Sequence, residues 1–345
     1  MFSWFKSVIS TEDEVITKFL AKTTGQRGPL ISVIPGKHKN DQICLCVTPC
    51  SIFVFFWDTA PLGKRLALED DAFTCAVAFG TSAVLAGTQN GQVCNISLDQ
   101  SLAFKSTKLR HGLPEIPVTA IACTKDSKRY TAGFADGSIA YWLASETDAV
   151  FVGESHTGTA VTALIVVEST NTLAAGYADG NVIFFCLETL VISARLPGLC
   201  HLPVVIRWHE HMEILLISDS NRELLLVKIS DYTVLHRYDA SLVTCGAALT
   251  CLEIVGERQL LLLGASDGSF CVRELSASEK APHKLRCQLL RMWEVSAGDA
   301  GPVTCAAFDA KSDILLVGDA GCRVRAISEF TAKIQEKQDS SLHRS

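Results

Sequence analysis

The 345-residue chain predicts an all-β ring of seven four-stranded blades, on three observations. First, a short polar turn recurs between apolar, β-branched runs with a period of about 43 residues. Its clearest copies are AGTQNGQVCNI ending at Ile96, AGFADGSIAYW ending at Trp142, AGYADGNVIFF ending at Phe185 and GASDGSFCVRE ending at Glu274. Second, a strand opening keeps step with the turn, as a small residue or proline followed by an apolar one: Pro29-Leu30, Ala72-Phe73, Pro117-Val118, Ala160-Val161, Pro203-Val204, Ala248-Leu249 and Pro302-Val303. Successive openings lie 43 to 45 residues apart except the last, at 54, where the charged insertion Ser276 to Gln288 intervenes and is expected to project as a loop on the face opposite the turns. Third, the last repeat has only three strand-like runs, Val303 to Phe308, Ile314 to Gly318 and Arg323 to Ser328, whereas Val15 to Ala21 precede the first repeat with no blade of their own.

Each turn has a mechanical reason. Asn90-Gly91, Asp136-Gly137, Asp179-Gly180 and Asp267-Gly268 supply the positive φ angles that tight hairpins need, so these eight residues are expected to be structural. A repeat of this length with four strand-like runs is one propeller blade. Blade three shows all four, at Val118 to Cys123, Arg129 to Phe134, Ser138 to Leu143 and Ala149 to Gly153.

Closure is expected from the two ends together. The segment Val15 to Ala21 supplies the strand the seventh blade lacks, latching the ring and covering edges that would otherwise pair with other chains. The same residues also read as a helix opened by a capping box, Thr11-x-x-Glu14. The missing strand favours the latch. The expected organisation is an amphipathic extension over 1–13, the propeller over 14–330 and a polar tail over 331–345.

Asp136-Gly137-Ser138-Ile139-Ala140-Tyr141-Trp142 resembles the D-G-T-I-x-x-W segment of the WD-repeat family, and Trp57-Asp58 is one literal WD dipeptide. The resemblance covers roughly residues 14 to 330 with degenerate motifs. The family's polar network of Asp, His, Ser/Thr and Trp is met in blade three by Asp136, Trp142 and His111, but Ala132 stands at the hydroxyl position. Blade four keeps Asp179 and His156, with Ala175 and Phe185 at the Ser and Trp positions. Blade five has Asn221-Arg222, and blade seven Gly321-Cys322, in place of Asp-Gly. What the resemblance implies is a non-catalytic scaffold or adaptor for protein partners in a multiprotein complex.

Composition fits one domain. Hydrophobic residues make up 48% and charged residues 20%, so most strands are expected to be buried on both faces between blades. The longest apolar stretch, Ile43 to Trp57, is interrupted at Thr48, Pro49, Cys50 and Ser51 and is too short and broken to span a bilayer. A secretory leader is not apparent. Of fourteen cysteines, most sit inside strand runs (Cys44, Cys46, Cys75, Cys94, Cys123, Cys186, Cys251, Cys271, Cys305), and none forms a CxxC pair. Such thiols are core hydrophobes of a reducing compartment, and a cytoplasmic protein is expected.

Signals for chemistry are few. His209-Glu210-His211-Met212-Glu213 has alternating histidines that a strand would aim at one metal, yet it falls in a connection of blade five, where polar residues belong. The turn aspartates recur with blade phase, which makes them structural. With no phosphate loop, nucleophile elbow or HExxH, no catalytic residue, no metal and no cofactor is expected. Net charge is -6, so nucleic acid is not an expected partner. A local basic group, Lys105, Lys108, Arg110 and His111, enters blade three and is expected to share one face with Arg27, His156, His201 and Arg222. That face is expected to receive protein partners, in particular acidic or phosphorylated peptides. At the N-terminal end, Phe2, Phe5 and Ile9 share a helical face beside Met1, Trp4 and Val8, fit for a partner, a membrane surface or the propeller's own side. Two rival classes are a trafficking propeller recruited to lipid or coat components, which lacks the Arg-Arg-Gly of lipid binders here, and a propeller hydrolase, which needs inward carboxylates.

Overall fold

The computed structural model describes residues 16–19, 29–38, 41–56, 65–153, 157–196, 201–220, 223–239, 247–278, 281–293 and 301–335. Strands β1 to β28, numbered in chain order, form seven antiparallel four-stranded sheets. Blades one to six each use four consecutive strands, from β2–β5 through β22–β25. Blade seven combines β26 (Val303–Asp309), β27 (Ile314–Asp319) and β28 (Arg323–Ile327) with β1 (Ile16–Phe19). The expected latch is therefore present as a strand: Ile16 pairs with Ala326 and Phe19 with Arg323, antiparallel. Blade three follows the sequence closely, with β10 at Val118–Cys123, β11 at Arg129–Phe134, β12 at Ile139–Leu143 and β13 at Phe151–Gly153.

Between each pair of neighbouring blades lies one apolar cluster, seven in all among the described residues. Second strands are buried on both faces, as in β15 (Thr172–Tyr177) and β23 (Leu260–Ala265), which explains their uninterrupted apolar spelling. Fourth strands face solvent on one side: β17 (Ile192–Leu196) and β21 (Thr233–Asp239) alternate between half-buried and exposed residues.

The two sequence markers turn out to be two halves of one contact. A Cβ built on Gly133 in β11 would meet Cγ1 of Val161 at 2.5 Å, and one on Gly176 in β15 would meet Pro203 at 2.8 Å. Gly87 faces Val118 and Gly264 faces Val303 in the same way, while Gly318 meets Val33 at 2.9 Å and Leu30 at 3.0 Å, with Cys305 of its own blade nearer at 2.6 Å. Each glycine is the hole into which the first strand of the next blade inserts. In blade five the inserted residue is Pro203 itself, one position before Val204. At the same level the first strand is bulged, and the threonine there bonds back to its own blade's glycine: Thr119 Oγ1 to Gly133 O at 3.1 Å, Thr162 Oγ1 to Gly176 O at 3.2 Å and Thr250 Oγ1 to Gly264 O at 3.2 Å.

Three expectations are revised. The insertion Ser276 to Gln288 is not a projecting loop, because β24 (Phe270–Ser278) and β25 (Ala281–Trp293) pair through it as one long hairpin. That hairpin is docked on β21 of blade five, where the Tyr238 hydroxyl donates to Leu285 O at 2.7 Å and Leu285 N donates to His236 Nε2 at 3.2 Å. Second, His209 belongs to a strand, β18 (Pro203–His209), and not to the connection after it. Third, ordered packing runs past the expected tail boundary at 331. Residues 330–335 form a short helical turn that buries Phe330 and Ile334 against blades six and seven, and Arg291 Nη1 donates to Lys333 O at 2.6 Å. The Trp57-Asp58 dipeptide, the N-terminal strip 1–9 and the capping-box residues Thr11 and Glu14 lie outside the described residues.

Candidate functional site

The hairpins between second and third strands open on one face, and their carboxylates are consumed locally. Asp136 Oδ1 accepts from Ser138 N at 2.9 Å and Ser138 Oγ at 2.6 Å. Asp267 does the same for Ser269 N and Oγ, and Asp179 accepts from Asn181 N at 3.0 Å and Nδ2 at 2.7 Å. The glycine after each aspartate sits at positive φ, 89° at Gly137, where a side chain would be strained. In blade two, Asn90 N donates to Asp71 Oδ1 at 3.0 Å, and Gly91 O lies 2.8 Å from His111 Nε2.

The basic group expected on this face divides. His111 is turned inward: besides its bond to Gly91 O, its ring packs against Phe134 at 5.0 Å and Trp142 at 6.2 Å between centroids. It thereby holds the connection between blades two and three. The network of the resembling family is not assembled around it, since Trp142 Nε1 donates to Arg110 O at 3.1 Å and Asp136 serves Ser138. Lys105 and Lys108 lie on the outermost strand of blade two, β9 (Phe104–Leu109), and so on the rim of the ring. Arg110 follows at the strand's end and sits 3.7 Å from Asp148, both side chains largely exposed. His201 is exposed and donates its backbone N–H to the buried Asp219 at 3.0 Å. His156 and Arg222 lie outside the described residues. Glu69, Asp70 and Glu115 are exposed too, and the backbone of Asp70 accepts from Asn90 Nδ2 of the blade-two turn at 3.2 Å, so acidic groups share this face.

On the opposite face the two candidate metal-ligating histidines face different surroundings. His209 is buried, which lowers its imidazole pKa, and its Nδ1 has no hydrogen-bond partner among the described residues. His211 is exposed and its Nε2 lies 2.9 Å from Glu257 O. No group of three potential ligands converges among the described residues. Instead, this face is tied across blades: Lys125 of blade three pairs with Glu210 of blade five, and His211 N donates to Gln259 of blade six at 2.9 Å.

The central channel holds a feature that the sequence reading missed. Its wall is built from first strands and is chiefly apolar, from Ile34, Val77, Val205, Ile254, Ala306 and Phe308, around a cavity of about 430 Å³. One charged pair interrupts it, Arg207 Nε to Glu253 Oε2 at 3.0 Å, half-buried between blades five and six. The signal was available as a charge at an otherwise apolar strand position in PVVIRWH and LTCLEIV. A second missed cluster sits at the ring closure. Asp319 is buried and accepts from Arg323 Nε at 2.7 Å and Arg325 Nη2 at 3.3 Å, while Arg325 Nη1 reaches Gly268 O of blade six at 3.0 Å. Burial lowers the Arg325 guanidinium pKa, against the opposing pull of Asp319. Burial also raises the thiol pKa of Cys75 and of Cys251, each to about 12.

Comparison with known proteins gives fold and no family. No protein-family model and no curated protein matches the chain. Among solved structures, a chain described as "Crystal Structure of Mitotic Checkpoint Complex" is similar, with a TM-score of 0.68, 13% sequence identity and coverage of 88% of this chain and 89% of that one. At that identity the likeness is one of fold. No helix among the described residues is long and apolar enough to cross a membrane.

Proposed function

We propose that this chain is a non-catalytic interaction platform of the WD-repeat type, a rigid subunit around which protein partners of a larger assembly are arranged. The observation that carries this reading is where the polar groups go. The turn carboxylates are spent on their own turns, the strand-opening threonines on glycine carbonyls, and His111 on Gly91. The chemistry in this ring is directed to holding blades, and the variable surface is left to loops and outer strands, where recognition costs nothing in blade packing. The structurally similar chain comes from a multiprotein complex, which agrees with this role. Protein partners with acidic or phosphorylated segments are favoured at the edge that carries Lys105, Lys108 and Arg110. We place the protein in the cytoplasm on its free, strand-embedded cysteines.

Cross-linking mass spectrometry on the chain isolated with its native partners tests the proposal. Reproducible cross-links from loops or outer strands to the same few proteins are expected. Turnover of ester, lactone or phosphate substrates by the purified chain, abolished by Glu253→Gln, would replace the platform reading with the hydrolase one.

A further inference from the structure

The outermost strand of blade two differs from those of blades one, three, four and five. β9 is six residues long, but its neighbours around the rim, β5 of blade one (Arg65–Ala67) and β13 of blade three (Phe151–Gly153), have three each. Neither neighbour is long enough to cover it, and Lys105, Ser106, Thr107 and Lys108 are all exposed. By contrast, exposure alternates along β17, and β21 has the hairpin of blade six docked on it. β9 pairs with β8 (Val93–Leu98) on its inner side only, so its outer edge presents backbone donors and acceptors along about 20 Å.

Lysines on an edge repel apolar and basic strands, but they attract an acidic one. Lys105 shares one face of the strand with Thr107, and Lys108 shares the other with Ser106, because side chains alternate. Neither lysine lies within 4 Å of a carboxylate among the described residues, although the Lys105 charge acts on Asp99 at longer range. The carboxylates close by are engaged: Asp99 accepts from Ser101 N, Ser101 Oγ and Ala103 N, and Asp148 faces Arg110. We infer that β9 takes an extended acidic segment of a partner protein as an added fifth strand of blade two. The inference rests on the platform reading and names one of its docking sites. The register sets the partner's chemistry, since residues opposite Lys105 and Lys108 are three apart and on opposite faces. The preferred segment therefore carries Glu-x-x-Glu, whereas Glu-x-Glu puts both acids on one face and meets one lysine.

The test uses the full chain and fluorescein-labelled ten-residue peptides of threonine and valine carrying Glu-x-x-Glu, Glu-x-Glu or Lys-x-x-Lys, followed by anisotropy at low salt. Binding order Glu-x-x-Glu, then Glu-x-Glu, then Lys-x-x-Lys is expected, with slowed amide exchange over 104–109. In the Lys105→Glu/Lys108→Glu variant the Glu-x-x-Glu peptide should bind about tenfold more weakly and the Lys-x-x-Lys peptide more tightly. Because both lysines are exposed, the variant should melt with the parent protein. Failure of the acidic peptide to bind, protection of a different strand, or equal affinity for parent and variant overturns the inference. If the variant still enters the native assembly with unchanged cross-links, this site falls and the platform reading stands; a native chain without any partner defeats the platform reading itself.

Discussion

Gly133 and Val161 meet so closely across the junction of blades three and four that a Cβ on the glycine would lie 2.5 Å from the valine Cγ1. The same relationship recurs around the ring, and it explains why the glycine before each turn and the apolar strand opening after it stay in register through the sequence. They are parts of one contact, separated by the length of chain needed to travel around a blade. Blades one and five depart from it: the second strand of blade one, β3 (Asp41–Thr48), has no glycine, and blade five has Ser218 at the glycine position.

Gly133→Ala should destabilise the protein by about 1–3 kcal/mol through overpacking, because the contact is between a backbone carbon and a branched side chain with no free rotation to escape. Combining it with Val161→Ala should cost less than the sum of the two single changes. Denaturant melts of the four proteins measure the coupling; strict additivity would show that the two residues do not share the contact.

Removing residues 1 to 22 deletes β1 and uncovers the outer edge of β28. A stability loss on the order of 3 kcal/mol and a tendency to self-associate are expected, read by melting temperature and sedimentation. An unchanged melting temperature in a monomeric product would mean that three strands suffice for blade seven.

Asp319→Ala leaves the buried Arg323 and Arg325 without their shared carboxylate. A loss of about 3–5 kcal/mol is expected, larger than for either exposed pair such as Arg110 with Asp148, whose removal should change stability by less than about 1 kcal/mol. Equilibrium unfolding of Asp319→Ala and Asp148→Ala compares the two directly.

His209 is held neutral by burial, with a pKa below its unfolded value of about 6.5. The unfolded chain therefore binds the extra proton first as pH falls, so stability is fully present above that value and declines below it until the folded-state pKa is reached. His209→Phe should flatten the decline between pH 7 and 5 while leaving the melt at pH 8 close to that of the parent. An unaltered acid limb would assign the effect to other groups.

Thiol accessibility should divide the cysteines. Cys50 is exposed, and Cys186 has its thiol pKa lowered by hydrogen bonds from Thr189 and the backbone, so both should react with a disulfide reagent in the native state. Cys75 and Cys251, at about 12, should react only on unfolding. Mass mapping of the labelled protein reads the outcome.

The fold was legible because most of its repeating contacts are written in residue types that have few substitutes. Only a glycine admits Val161 at position 133, only Asp-Gly or a close equivalent closes the hairpin at 136–137, and the blade with one strand too few announces the latch. Surface was less legible. Lys108 reads as part of a loop in sequence, but its strand partner Cys94 places it on the rim. His111 reads as an exposed base, but Phe134 and Trp142 close over it. The Ser276 to Gln288 insertion reads as a loop because its polar residues hide the pairing of Ser276 with Arg286, which follows only from the length of both strands. Charges that face each other across blades, such as Arg207 and Glu253, are 46 residues apart and carry no local signature.

The platform reading is tested most directly by the native size of the chain in extracts of the cells that make it, followed by sedimentation through a gradient beside the purified protein. The purified chain should run near its 37.3 kDa mass. In the extract it should run with a particle several times larger, and raising the salt should shift a fraction of it back toward the free position, as expected for contacts made through Lys105 and Lys108. A chain that sediments at its own mass in the extract, at every salt concentration, would contradict the account.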